Sequence, residues 1–138
     1  MTRHEIVALI ARCHAALGRH DAEAVAVEHA ETCVMESPTA GAPVTGRVAI
    51  ARVFESWFKG FPDLAIAAED VVVEEDRFAQ VFTISGTDTG GFLGLPPTGK
   101  PFRAPLVWIC HVNERHIVRS RSIYGFSGVL IQIGVLKA

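Results

Sequence analysis

The sequence predicts an α+β fold in a single domain spanning residues 1–138, with helices first and antiparallel strands after them. Three observations predict it. Apolar residues recur at three- and four-residue spacing as far as Gly60. From Leu64 onward the pattern alternates and becomes rich in β-branched residues. Short polar turns then join consecutive strand-like runs, as in a meander rather than in alternating strand–helix units. The chain has 138 residues, 49% of them hydrophobic and 20% charged, which suits one domain with an ample core.

The elements follow in order. Thr2 and Glu5 have the spacing of a capping box, each side chain satisfying a free backbone amide of the other's turn. Ile6, Leu9, Ile10, Cys13 and Leu17 then mark one helical face, which Gly18 ends. Asp21 caps a second helix, from Ala22 to about Glu31. "ESPTAGAPVTG", Glu36 to Gly46, reads as a loop with a short extended piece. A third helix carries Ile50, Val53, Phe54, Trp57 and Phe58 on one stripe and stops at Gly60. Strands are expected over 64–74, 78–89, 102–112 and 117–126, the first two joined across Glu75-Asp76-Arg77 and the last two across "NERH". The apolar tail, Ser127 to Leu136, suits a short helix or a strand end.

Composition excludes several functions. Net charge is −2 with the signs mixed, so no basic footprint for nucleic acid exists. Three cysteines (Cys13, Cys33 and Cys110) without C-x-x-C spacing signal neither a disulfide framework nor zinc. No two histidines sit at i, i+3 or i+4, so no metal is expected. No apolar run reaches bilayer length. The N-terminal run contains an acid and lacks a small-residue cleavage site, so a reducing, cytoplasmic setting is the expectation.

"GLPPTGKP", Gly94 to Pro101, comes close to a phosphate-binding loop, with G-x-x-x-x-G-K in place. Pro101 replaces the hydroxyl residue that would hold magnesium, and Pro96 and Pro97 remove two cradle amides. The following "FRAPLVWICHV" reads as strand, so no helix N-terminus faces the loop. The stretch is expected to be a turn with Pro97 second and Gly99 fourth.

The same stretch carries a resemblance. "FPDL" (Phe61–Leu64), "GTDTGGFLGLPPTGK" (Gly86–Lys100) and "LIQIG" (Leu130–Gly134), with Trp57 and "ESP" at Glu36 to Pro38, resemble the SnoaL-like polyketide cyclases of the nuclear transport factor 2-like superfamily. The resemblance implies a cone, formed by a strongly curved antiparallel sheet around a pocket and closed at the back by the N-terminal helices. It also implies a homodimer through the sheet, no cofactor, and aldol-type ring closure of a small hydrophobic carbonyl compound. The family places an acid on the last strand in a pattern resembling I-V-E-x-W-x-V-x-D. Laid on this chain from Ile117, the Glu, Trp and Asp positions hold Arg119, Arg121 and Gly125. Asp88 stands where the family has histidine in G-T-H-T-G, and Glu114-Arg115 replaces a D-G turn.

Strand alternation then nominates a pocket face. Phe82, Ile84, Gly86 and Asp88 share one side of the second strand. Trp108 lies with Phe102, Leu106 and Cys110. On the last strand Ile117, Arg119, Arg121 and Ile123 share a side, which the resemblance turns inward. Asp88 and Arg121 are therefore the candidate catalytic pair, with Asp88 as base and an arginine steadying an enolate. Arg119, Trp57, Trp108, Phe82 and Ile84 are the candidate substrate contacts. The structural alternative is a buried Asp88–arginine ion pair that orders the sheet. A ligand-binding protein without turnover, with the two arginines holding an anion, is the other functional alternative. Epoxide hydrolysis would need a second inward carboxylate. Tyr124 falls opposite Arg121 and is expected at a sheet or dimer contact.

Overall fold

The computed structural model describes residues 1–138 and contains four helices and six strands in one sheet. Helix α1 (Arg3–Gly18) begins at the predicted capping box, with the Glu5 amide donating to Thr2 Oγ1 at 3.1 Å. It buries Ile6, Leu9, Ile10, Cys13, Ala16 and Leu17, the face the spacing predicts. Helix α2 (Ala22–Ala26) is capped by Asp21 and ends sooner than expected, because strand β1 (His29–Glu36) starts three residues on. β2 (Val44–Thr45) is the short extended piece in the loop. Helix α3 (Arg47–Gly60) carries the predicted apolar stripe.

Strands β3 (Ala65–Glu74), β4 (Arg77–Thr87), β5 (Pro101–Val112) and β6 (Ile117–Ile123) form the meander, and α4 (Phe126–Gln132) closes the chain. The sheet order is β2-β1-β6-β5-β4-β3. The α+β class is as predicted. One pairing differs from an all-antiparallel sheet, since β1 runs parallel to β6. That partner lies at the far end of the chain, so no local pattern announces it. Pro105 sits inside β5 beyond the stretch paired with β6, which ends at Val107 opposite Ile123. Its missing N–H therefore breaks no bond with that neighbour.

Three pairings carry register shifts: β1 with β6, β3 with β4, and β5 with β6. Such bulges bend a sheet and strengthen its twist. Residues of β4 alternate cleanly, with Phe78, Gln80, Phe82 and Ile84 buried against the helices. No helix is long and apolar enough to cross a membrane.

The glycine-rich loop has a packing explanation. The Gly90 amide donates to the carbonyl of Gly60 at 3.1 Å. A Cβ on Gly90 would lie 1.8 Å from the carbonyl oxygen of Lys59, so only glycine lets the loop reach the end of α3. The reversal falls at Phe92–Leu95, where the Leu95 amide donates to the Phe92 carbonyl at 3.0 Å. Residues 95–100 then run without regular structure into β5. The expected turn centred on Pro97 is thus displaced toward Gly94, and a strand, not a helix, follows Lys100.

Candidate functional site

The apolar stripe of α3 does not seal against the sheet. Val53, Phe54, Trp57 and Phe58 are only half-buried, because a cavity separates them from the strands. Its outer lobe encloses about 560 Å³ of unfilled space, mouth included. Ile66 of β3, Ile84 of β4, Leu106 of β5 and Met35 of β1 form the sheet wall, and Leu17 of α1 joins the helical side. An overlapping second lobe, about 400 Å³ of unfilled space with its mouth included, shares Leu17, Phe54, Ile66, Ile84 and Leu106 and reaches Phe82 and Trp108.

Polar atoms are few and grouped. Ser37 stands just after β1, and Ser122 and Tyr124 lie at the end of β6. The Tyr124 hydroxyl bonds the hydroxyl of Thr39, tying the loop after β1 to the end of β6. Burial holds the Tyr124 phenol protonated, well above its ordinary range. Ser37 Oγ is buried without a partner. Deeper, the Trp108 indole donates to Ser120 Oγ at 2.6 Å. No carboxylate and no cation lines either lobe.

His29 is fully buried in β1 beside Phe54 and Trp108, with ring centroids 6.4 and 6.3 Å apart. Its Nδ1 lies 3.0 Å from the Val25 carbonyl and therefore carries the proton, while Nε2 has no partner. Burial pushes its pKa down, so the ring is neutral.

The nominated residues divide. Trp57, Phe82, Ile84 and Trp108 all line the cavity. Asp88 faces inward but lines neither lobe. Ile84 is the last inward residue of β4 on the cavity wall. At the next inward position, Gly86, Phe61 and Phe102 close over the backbone: an added Cβ would meet them at 3.0 and 3.4 Å. Asp88 lies beyond that plug and is 1% exposed. Its Oδ2 accepts from both the amide and the hydroxyl of Thr98, each at 3.1 Å. Its backbone is linked to Lys100 and Gly99. The carboxylate clasps the two ends of the glycine-rich loop, and no arginine approaches it.

Arg119 and Arg121 are on the outer side of the sheet. Their side chains are about half exposed and both reach Glu36, at 3.1 and 3.5 Å. The expected convergence of Asp88, Arg119 and Arg121 is therefore not what the chain builds. The physical reason is a bulge at Val118: Val112 pairs with Ile117, but His111 pairs with Arg119. Ile117 points inward as predicted. The extra residue then reverses the phase, so Ser120, Ser122 and Tyr124 turn inward and the arginines outward. Tyr124, expected at an outer contact, is on the cavity wall. The sequence did hold a signal, because two guanidiniums alternating on a strand read most simply as a solvent face. Met35, Ser37 and His29 were missed together with strand β1.

The sequence profile of the SnoaL-like polyketide cyclases matches residues 8–133. The chain belongs to that family. Among solved structures, this SnoaL-like chain is similar to AclR of Streptomyces galilaeus, at 26% identity and a TM-score of 0.85 over 99% of this chain and 89% of that one. It is similar to IdmH of Streptomyces antibioticus, named as a candidate polyketide cyclase, at 28% identity and a TM-score of 0.78 over 94% and 98%. It shares its fold with TsrD of Streptomyces laurentii, at 22% identity and a TM-score of 0.84 over 99% of each chain. A search among curated proteins finds none that matches. The family's loop motif now has physical content here: its glycines permit the contact with α3, and Asp63 of "FPDL" accepts from the Thr87 amide at 2.7 Å, fixing the α3–β3 turn to the end of β4. That hydrogen bond holds the Asp63 carboxyl below its usual range.

Proposed function

We propose that this SnoaL-like protein binds a small hydrophobic carbonyl compound, polyketide-like in character, and cyclises or isomerises it without a cofactor. The observation that carries the reading is the cavity itself: an apolar chamber whose polar atoms cluster at the end of β6. Such a chamber suits a ring system, with the hydroxyl cluster orienting one oxygen.

The chemistry follows from the lining. A flexible chain of ketones held in one fold brings an acidic carbon against a carbonyl, and such positioning can supply up to roughly 7–11 kcal/mol of the barrier. Closure forms the carbon–carbon bond, and the proton of that carbon passes through water at the mouth to the new alkoxide oxygen. Tyr124 stays protonated, so it serves as a donor to a carbonyl or enolate oxygen. Thr39 donates to the phenol oxygen in turn. Ser122 supplies a second hydroxyl. In this reading Asp88 and Arg121 shape the protein and do not touch the substrate. The absence of any lining carboxylate is the one observation that favours the alternative, ligand binding without turnover.

A homodimer through the outer sheet face belongs to the same proposal. Its support is the outward row Val81–Val107–Ile123, next to Ala79 and Ile109, with Ile123 left exposed.

Native mass spectrometry of the purified protein tests the binding step. The expected result is a co-purifying hydrophobic carbonyl compound, lost in Ile84→Trp, which fills the cavity. A bound compound released chemically unchanged after incubation would decide for the binding-only reading. Retention of the compound by Ile84→Trp would remove the cavity from consideration.

A further inference from the structure

Next to the cavity mouth lies a second, more open depression, walled by Thr39, Val44, Arg52, Ser56 and Leu93 among others. It shares Val53 and Trp57 with the cavity, so the two are neighbours across α3 side chains. Thr39, which lines this vestibule, bonds Tyr124, which lines the cavity. The junction is thus bounded by α3 on one side and by the Thr39–Tyr124 pair on the other.

Arg52 is the only charged residue of the vestibule. Six ion pairs exist in the protein and none includes it. The arginines of β6 share Glu36, and Arg47 reaches Glu31. Arg52 also lines a neighbouring groove with Glu23 and Glu55, but neither carboxylate pairs with it and neither lines the vestibule. An arginine in no ion pair, lining one depression with the hydroxyl residues Thr39 and Ser56 beside an apolar chamber, is matched to an oxyanion.

We propose that Arg52 selects amphiphilic substrates, the hydrophobic ring entering the cavity and a terminal carboxylate remaining in the vestibule on its guanidinium. The assignment rests on the cavity reading above and narrows it to acids over their neutral esters. Ser56 supplies a hydroxyl for the second carboxylate oxygen. Arg52 is a specificity residue in this scheme, not a catalytic one.

Isothermal titration with 4-(1-naphthyl)-4-oxobutanoate and its methyl ester tests the assignment. Wild-type protein is expected to bind the acid about threefold to fivefold more tightly than the ester at low salt, the range of an exposed ion pair. The preference should vanish in Arg52→Gln, invert in Arg52→Glu, and shrink as salt is added. Ester affinity should stay constant across the three proteins, which also shows that the variants are folded. Equal binding of acid and ester by the wild type overturns the Arg52 assignment alone, as does a preference that survives in Arg52→Gln. Binding of neither compound overturns it together with the cavity reading.

Discussion

Three buried thiols and one half-buried phenol set how this protein answers alkali. Burial raises the Cys13 thiol to about 12 and the Cys33 thiol to about 11, and it pushes Cys110 up as well. Their ordinary value is 9.0. Above that pH the unfolded chain releases these protons while the folded chain keeps them. The folded state then binds more protons, so stability falls as pH rises, by up to about 1.4 kcal/mol per pH unit for each group. Tyr124 adds to the decline from its own ordinary value of 10.0 upward. The urea midpoint should therefore drop steadily from pH 9 to pH 10.5. Cys33→Ala should make that slope shallower while costing some stability at pH 7, where the thiol is neutral in both states. An unchanged slope in the variant would show that Cys33 does not contribute.

The glycine-rich loop and strand β6 show what an element adds beyond its residues. Asp88 joins the loop's two ends through two hydrogen bonds that its Oδ2 accepts from Thr98. Asp88→Ala should cost about 2 kcal/mol, seen as a melting temperature lower by roughly 6 °C. Asp88→Asn keeps an acceptor oxygen and should cost about half as much or less. Neither change should weaken a ligand held in the cavity, because Phe61 and Phe102 intervene. A large loss of turnover in Asp88→Asn with full stability would restore Asp88 as a base. Much of the architecture was legible at this scale. Helices α1 and α3 and the four meander strands follow from periodicity, since each makes its pattern locally. Strand β1 was hidden because its partner β6 is the last strand in the chain and runs parallel to it. The site was half legible. Trp57, Phe82, Ile84 and Trp108 fall on faces that unbroken alternation reveals. Ser122 and Tyr124 do not, because one unpaired residue at Val118 reverses the count. Burial of Asp88 was correctly anticipated from its phase on β4, but its partner is a loop threonine that no spacing rule names.

For the whole molecule, the sheet has two faces with different tasks. The inner one surrounds the cavity, and the outer one presents Val81, Val107, Ile109 and Ile123 between polar edges. Sedimentation velocity should find a dimer, and Ile109→Glu should yield a folded monomer with unchanged far-ultraviolet dichroism. A wild-type monomer at micromolar concentration would remove the dimer from the proposal. The outer face also carries Glu36 between Arg119 and Arg121, a cluster worth little in water. A covering subunit would exclude solvent from it and raise its weight.

The kink at Val118 has a consequence for reading relatives of this chain. Two homologues aligned without a gap along their last strand can still present opposite halves of it to the interior, if only one of them bulges. A column of identical letters there is no guarantee of a shared chemical address. The glycine at position 125 therefore does not mark an acid erased from the chamber wall, since in this chain that position caps a helix outside it. One inserted or deleted residue in such a strand would exchange the entire inventory of interior groups at a stroke, and a family could change its chemistry that way without altering any side chain it already has.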